Sequence, residues 1–270
     1  MVTLNDLRQY KAQQRKFSCL TCYDASLAQA MAEAQIDTIL VGDSLGMCVQ
    51  GQDSTVPVTV DDMVYHTQCV RRGNQHALLI ADMPFMSYAT VTDALHHAKR
   101  LMQAGAQVVK MEGGAWLSES VEVLTRNGVP VCVHLGLTPQ SVHVLGGYRL
   151  QAKTRAAADR LLADCQAVVD AGAAMLVLEC VPAQLGREIA QRFAHIPVIG
   201  IGAGADTDGQ VLVVYDMLGL NFGHVARFVR NFMVEQAGAN AIVNAMKAYH
   251  AAVQEGSFPA QEHTFQVELG

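Results

Sequence analysis

Acidic side chains stand directly after several short apolar runs in this 270-residue sequence. Asp43 follows Thr-Ile-Leu-Val-Gly, Asp82 follows Leu-Leu-Ile-Ala, and Glu112 follows Val-Val-Lys-Met. A carboxylate beside such a run is costly to bury unless it is paired or binds a cation. If the runs are consecutive strands, the three acids converge, and a set of oxygen ligands selects a hard divalent ion such as Mg²⁺. The pattern predicts a metal site formed by Asp43, Asp82 and Glu112.

A second interpretation of the same acids is structural, with the carboxylates capping helices or pairing with Lys110 and Arg71. Lys110 and Glu112 are two residues apart, so on a strand they point to the same side. A lysine beside a metal could hold the carboxylate of a substrate. It could also form a Schiff base, as in class I aldolases, although the nearby acids would make that chemistry redundant.

Glu179 ends the later apolar run Met-Leu-Val-Leu, away from the predicted metal acids. A free carboxylate in that place is a candidate general base, and the alternative is a salt-bridged structural glutamate. His134 lies within Cys-Val-His-Leu-Gly. A single strand histidine is as often a packed core residue as a catalytic one, so its pattern alone favours neither. The glycines of Gly200–Gly204 would permit close approach of a bound ligand.

Short apolar runs alternate with helical stretches along the whole chain. This alternation predicts a closed (β/α)8 barrel in one domain, 1–270, because the length is near the roughly 250 residues of that fold and no linker or composition break interrupts it. No GxGxxG follows the first run, which disfavours a Rossmann sheet. The predicted strands are Phe17–Tyr23, Thr38–Gly42, Ala77–Ala81, Val108–Met111, Val129–Leu135, Met175–Leu178, Pro197–Ile201 and Val211–Tyr215. The clearest predicted helices are Ser26–Ala34, Thr92–Ala104, Trp116–Asn127 and Arg155–Ala171.

The segments outside the barrel are predicted from periodicity and polarity. The first residues form a polar amphipathic helix without the apolar core of a secretory signal. Helix is also predicted for Gly223–Gly256, after the eighth strand, and a polar, mobile tail from about Phe258. Gly105, Gly128 and Gly172 each follow a predicted helix, where a left-handed residue commonly ends it.

Composition excludes several classes of protein. With 51% hydrophobic and 16% charged residues the chain is not disordered, and no apolar run is long enough to cross a membrane. The net charge of -6 argues against nucleic acid or acidic lipid as a partner. Seven cysteines lie mostly in apolar runs, which predicts reduced core thiols and a cytoplasmic protein.

Eight sequence blocks resemble the ketopantoate hydroxymethyltransferase family. They occur in family order between about Phe17 and Gly219, and their joint occurrence is highly specific. They are Val41–Gly46, Gly51–Thr59, Ala81–Phe85, Val109–Gly114, His134–Gln140, Leu178–Pro182, Ile199–Gly204 and Asp208–Val213.

The resemblance implies a barrel of the phosphoenolpyruvate/pyruvate type that moves a hydroxymethyl group from 5,10-methylenetetrahydrofolate to 3-methyl-2-oxobutanoate. It implies Mg²⁺ on Asp43 and Asp82, with Glu112 a ligand directly or through water. It also implies keto-acid binding by Asp43, Ser44, Asp82 and Lys110, and proton acceptance by Glu179. His134 then orients a group or relays a proton. The family is usually a homodecamer of two pentameric rings, that is, a pentamer of dimers.

Two other functions compete with this one. A metal-dependent carbon–carbon lyase of the isocitrate-lyase type would typically need a reactive loop cysteine, and Cys180 continues an apolar strand instead. A non-catalytic ligand-binding barrel would not need a base as well as a set of metal ligands.

Overall fold

The fold is a closed barrel of parallel strands, seen in a computed structural model that describes residues 1–221, 223 and 225–267. Each strand pairs in parallel with its neighbours in sequence, and β1 closes the ring by pairing with β8. The (β/α)8 prediction is confirmed. The strands are β1 Phe17–Thr21, β2 Thr38–Val41, β3 Leu78–Asp82, β4 Val108–Glu112, β5 Val131–Gly136, β6 Met175–Glu179, β7 Val198–Ile201 and β8 Gly209–Leu212.

Helices connect the strands and shield their outer faces. Several begin at a threonine whose hydroxyl accepts a backbone N–H from the first turn, for example Thr59 and Thr154. Gly105, Gly128 and Gly172 all have left-handed φ, as predicted. The helices are α1 Leu4–Ala12, α2 Ala25–Glu33, α3 Leu45–Cys48, α4 Val60–Gly73, α5 Val91–Ala104, α6 Ser118–Arg126, α7 Val142–Leu145, α8 Arg155–Asp170, α9 Ala183–Arg192, α10 Val214–Met217 and α11 Ala241–Gln254.

Alternate strand residues belong to two separate buried clusters. Leu78 and Ile80 belong to the cluster inside the barrel, and Leu79 and Ala81 belong to the cluster between strands and helices. Because side chains alternate along a strand, Asp82 continues the inward-facing set of β3. The same alternation carries inward the polar residues at the carboxyl ends of the next strands. These are Lys110 and Glu112 on β4, His134 on β5 and Glu179 on β6.

The opposite end of the barrel is closed by α1. Leu7 is fully buried, and the Nζ of Lys11 donates to the carbonyl oxygens of Ala190 and Ile196 and pairs with Asp208 at 2.7 Å. Burial raises the pKa of Asp208, and Lys11 partly offsets that effect. The ammonium group therefore ties the amino-terminal helix to α9 and to the segments that precede β7 and β8 at the base of the barrel.

The carboxyl-terminal third differs most from the sequence prediction. β8 ends at Leu212, and the residues predicted to extend it begin helix α10 at Val214. The helix predicted over Gly223–Gly256 is present only as α11, which packs on β1 and α2, while residues 222 and 224 lie outside the described part.

The segment from Phe258 was expected to be a mobile polar tail, and its described part packs on the barrel instead. The Phe258 ring is buried, and the carbonyl oxygen of Phe265 accepts the N–H of Ala183. Residues 268–270 lie outside the described range. None of the described helices is long and apolar enough to cross a membrane.

Replacing Lys11 with Met should lower the free energy of unfolding by about 3 kcal/mol, because it leaves the nearly buried Asp208 without its cation. Chemical denaturation measures the effect. Lys99→Met, at an exposed position on α5, is the matched control and should change stability by less than about 0.5 kcal/mol. Equal losses for the two variants would contradict the role assigned to Lys11.

Candidate active site

Asp43 and Asp82 meet at the carboxyl ends of two adjacent strands. Asp82 is the last residue of β3, and Asp43 lies two residues after β2. The backbone N–H of Asp43 donates to Oδ2 of Asp82 at 3.1 Å, and both side chains are buried. The structure thus brings together the two acids that were predicted as metal ligands from separate parts of the sequence.

Lys110 stands between two carboxylates. Its Nζ lies 2.5 Å from Oδ1 of Asp82 and 3.5 Å from Oε1 of Glu112. Burial alone would lower the pKa of Lys110, but the charges of Asp82, Glu112 and Asp43 outweigh burial and raise it. Lys110 is therefore a fixed positive charge, as the ion-pair interpretation of the sequence expected, and its ionised state disfavours Schiff-base chemistry.

His134 joins two glutamates across neighbouring strands. Its Nδ1 lies 3.2 Å from Oε1 of Glu112, and its Nε2 lies 3.2 Å from Oε2 of Glu179. Burial and Lys110 lower the pKa of His134, but the two glutamates more than compensate and raise it to about 9. His134 is thus a buried imidazolium that links Glu112 to Glu179. The glutamate of this pair nearer to solvent is Glu179, with 12% of its side chain exposed against 2% for Glu112.

Ser44 begins the turn into α3, beside Asp43. Its hydroxyl is 2.8 Å from the hydroxyl of Tyr23, a fully buried residue that follows β1 and stacks on Tyr215. Tyr23 therefore holds the Ser44 hydroxyl beside Asp43. Tyr23 was not predicted as a site residue.

Gln140 and Tyr88 are two more site residues that the sequence predictions missed. Gln140 follows β5, and its side-chain amide donates to Oδ2 of Asp43 at 2.8 Å. Its backbone N–H donates to Oε2 of Glu112 at 2.9 Å, and its side-chain oxygen accepts from the hydroxyl of Tyr88. Both residues lie in loops that follow barrel strands, where site residues of such barrels collect. Gln140 also ends the family-like block His134–Gln140, a second signal that Tyr88 lacks.

The donor set fits a divalent cation at Asp43 and Asp82 better than at Glu112. Burial, then the charges of Asp82 and Glu112, raises the pKa of Asp43 well above its usual range, so this acid lacks sufficient positive charge around it. Glu112 has partners on both oxygens, and its pKa is lowered because Lys110 and His134 outweigh burial. Within the described residues no ready-made group of three His, Cys, Asp or Glu side chains is arranged as a metal cage.

The glycines after β7 serve packing within the protein. A β-carbon on Gly202 would meet the ring of Phe228 at 2.9 Å, and one on Gly204 would meet Ala183 at 2.7 Å. Protein atoms therefore occupy the β-carbon positions of these two glycines, and the close approach of a ligand to this segment stays a prediction.

The cysteines behave as core thiols. All seven are free, and burial raises the pKa of Cys19 and Cys22 to about 12 and that of Cys48 to about 11. Cys180 is likewise raised, by burial and by the charge of Glu179, so its pKa disfavours the thiolate that a lyase of the isocitrate-lyase type would need.

Comparison with known proteins identifies the family. The family model described as ketopantoate hydroxymethyltransferase matches residues 1–261. The chain belongs to the ketopantoate hydroxymethyltransferase family. A protein of Acinetobacter baylyi named 3-methyl-2-oxobutanoate hydroxymethyltransferase is 75% identical over the full length of both chains. One of the same name from a Psychrobacter species is 57% identical, over 98% of this chain and all of the relative.

Solved structures show that this chain shares its fold with other barrel enzymes. A 2,3-dimethylmalate lyase of the PEP mutase/isocitrate lyase superfamily matches with a TM-score of 0.57 at 18% identity, over 82% of this chain and 84% of that one. A phosphonopyruvate hydrolase, solved with oxalate and Mg²⁺, matches with a TM-score of 0.60 at 11% identity, over 96% and 100%. At these identities the likeness shows the fold alone, which agrees with the predicted (β/α)8 barrel.

Gly136, at the end of β5, lies against the backbone of Glu179. Its φ is +89°, and a β-carbon there would lie 2.3 Å from the Glu179 carbonyl oxygen. Gly136→Ala should therefore push β6 away and lower kcat about 100-fold, a loss that a misplacement near 1 Å can cause.

The control for this variant is Gly128→Ala. Gly128 has a φ of +82° and nothing within 4 Å of the added carbon. Gly128→Ala therefore has the same backbone strain as Gly136→Ala, that of an alanine with positive φ, but no steric clash. Steady-state kinetics of the two folded variants separate the effects. Similar kcat values would refute the importance of this contact.

Proposed function

We propose that this chain transfers a hydroxymethyl group from 5,10-methylenetetrahydrofolate to 3-methyl-2-oxobutanoate, giving 2-dehydropantoate and tetrahydrofolate in the first step of pantothenate biosynthesis. The full-length relatives of that name support the substrate. The observation that carries the chemistry is the continuous chain from Glu112 through His134 to Glu179 beside the buried Lys110. This chain of contacts places the proposed base, Glu179, next to the positive charge of His134.

The first requirement of this reaction is to remove a proton from C3 of the keto acid. The C–H bond next to a ketone is a very weak acid. A carboxylate cannot remove its proton quickly at neutral pH unless the enolate that forms is stabilised. Asp43 and Asp82 would hold the divalent cation, with Glu112 a further ligand directly or through water. When bound, the cation supplies Lewis-acid stabilisation of the enolate charge, and Mg²⁺ suits these oxygen ligands.

Lys110 and Ser44 bind the carboxylate of the keto acid in this proposal. The pKa of Lys110 is raised, so the residue stays charged and offers a permanent attraction to an anion. The Ser44 hydroxyl, held by Tyr23, offers a neutral donor on the side of Asp43. Two different donors would fix the orientation of the carboxylate and hence the side on which C3 lies.

Glu179 accepts the C3 proton, and His134, whose Nε2 is 3.2 Å from its Oε2, orients the carboxylate. The partial exposure of Glu179 supports this role, because a substrate entering from the carboxyl end of the barrel can reach it. The methylene carbon is bonded to two folate nitrogens, so both carbon–nitrogen bonds must break. Water adds to that carbon, tetrahydrofolate leaves, and the carbon nucleophile attacks the resulting formaldehyde carbon. The oxygen of the added water becomes the product hydroxyl, which takes up the proton that Glu179 removed from C3.

We propose that the folate occupies the space between the loops that follow β2 and β5. A cavity of about 340 Å³ there is lined by Asp53, Ser54, Val142, His143, Gly146, Gly147 and Tyr148. The Tyr148 hydroxyl donates to the sulfur of Met47 at 3.5 Å, and half of the side chain is exposed to the cavity. Partial burial raises the pKa of Tyr148, and the charge of Glu179 contributes. A flat aromatic ring beside Tyr148 would be close to the proposed base.

Homodecameric assembly stays a prediction from the resemblance, and cytoplasmic localisation and the absence of nucleic-acid partners stay predictions from composition. The homodecamer can be measured by light scattering of the purified chain.

Replacing Glu179 with Gln should leave binding of 3-methyl-2-oxobutanoate nearly intact and slow exchange of its C3 proton with deuterated water at least 1000-fold, because the amide does not accept the proton. Proton NMR follows the exchange without folate. Glu122→Gln, on the exposed face of α6, is the matched control and should exchange at the normal rate. Normal exchange in Glu179→Gln would remove Glu179 as the base.

Removing divalent ions with a chelator should abolish the activity of the wild-type protein, and added Mg²⁺ should restore it. The Asp43→Ala, Asp82→Ala double variant should stay inactive at every Mg²⁺ concentration, because both proposed ligands are gone. Full activity of the double variant, or of a chelated wild type, would contradict the metal site.

A further inference from the structure

Gln140 makes contact with the ends of three strands besides its own. Its side-chain Nε2 donates to Oδ2 of Asp43 at 2.8 Å and to the carbonyl oxygen of Met83 at 2.9 Å. Its backbone N–H donates to Oε2 of Glu112 at 2.9 Å. The residue itself follows β5 and is 5% exposed. One residue therefore connects the polar carboxyl ends of β2, β3, β4 and β5.

The orientation of the Gln140 amide is set by its surroundings. The hydroxyl of Tyr88 donates to Oε1 at 2.5 Å and accepts the backbone N–H of Glu112 at 3.2 Å. On the other side, Asp43 and Met83 present only acceptor oxygens. The Tyr88 hydroxyl also lies 3.2 Å from the carbonyl oxygen of Glu112. A rotated amide would place its oxygen against the two acceptors Asp43 and Met83 and would lose both of those hydrogen bonds, so the observed orientation is favoured.

We propose that Gln140 is a positioning residue that fixes the carboxylates of Asp43 and Glu112, and thereby sets the affinity of the site for its divalent cation. Tyr88 in turn fixes the Gln140 amide. The inference rests on the proposed metal site and adds residues that do not themselves touch the cation. It follows from the contacts, because a carboxylate that accepts a directed N–H bond has one oxygen fixed and the other directed elsewhere.

The test measures Mn²⁺ binding to the folded protein without substrates, by electron paramagnetic resonance. Gln140→Leu removes the donor and acceptor at similar volume. The dissociation constant for Mn²⁺ should rise roughly 10–100-fold, as is usual when a partner of a metal ligand is lost. In kinetics, kcat should fall with the same variant, while KM for the folate stays within about twofold because Gln140 contacts only protein groups.

Tyr88→Phe is the second variant. It keeps Gln140 and the packing of the ring, so it also tests the inference if Gln140→Leu fails to fold. We expect a smaller rise in the Mn²⁺ dissociation constant, about threefold to tenfold. Gln166→Leu makes the same chemical change on α8, far from the site, and should bind Mn²⁺ as the wild type does.

The outcomes separate this inference from the proposed function. A wild type that binds Mn²⁺, with folded Gln140→Leu and Tyr88→Phe variants that bind it equally well, overturns the inference alone. A lower thermal midpoint with unchanged Mn²⁺ affinity does the same, because it shows a structural role only. A wild type that binds no Mn²⁺ overturns the proposed metal site and this inference with it.

Discussion

The imbalance of buried charge at the carboxyl end of the barrel determines much of what the protein can do. Four carboxylates, of Asp43, Asp82, Glu112 and Glu179, face two cations, Lys110 and protonated His134. Fully ionised, this group has a charge of minus two, which one divalent cation would balance. The excess negative charge acts most strongly on Asp43, whose pKa is raised by burial and by its acidic neighbours. The end of the barrel is therefore built to favour a cation, at the expense of stability.

The two ends of the barrel treat buried charge differently. At the base, the Lys11 ammonium is saturated by two carbonyl oxygens and by Asp208, so that end is stable without a ligand. At the opposite end, the acids outnumber the cations, and several groups are held by single contacts. This division agrees with the general rule that the base of such barrels serves stability and the carboxyl end serves chemistry. An enzyme can then adjust its site without weakening the whole fold.

Strand periodicity was enough to predict the barrel and the acids, but not how the acids are connected. Asp82, Glu112 and Glu179 could be predicted because each continues an inward-facing set of strand residues. Gln140 and Tyr88 could not, because their positions depend on the paths of loops, which have no period. The helix predicted from Gly223 begins only at Ala241, since apolar content without tertiary contacts does not decide where a helix starts. The pairing of Lys110 with two acids was an open alternative, because sequence gives no distances.

The contact between β5 and β6 explains how backbone geometry positions the proposed base. Gly136 allows the chain to approach the carbonyl of Glu179 closely, and Cys180, the next residue, has a φ of +47° despite its side chain. A non-glycine residue with that φ costs about 1 kcal/mol or more and persists only where its surroundings hold it. The N–H of Cys180 donates to Ile201, and its carbonyl oxygen accepts from Gln151. These two hydrogen bonds fix the backbone directly after Glu179. The position of the Glu179 carboxylate is therefore set by the backbone of β6 as well as by the charge of His134 on the neighbouring strand.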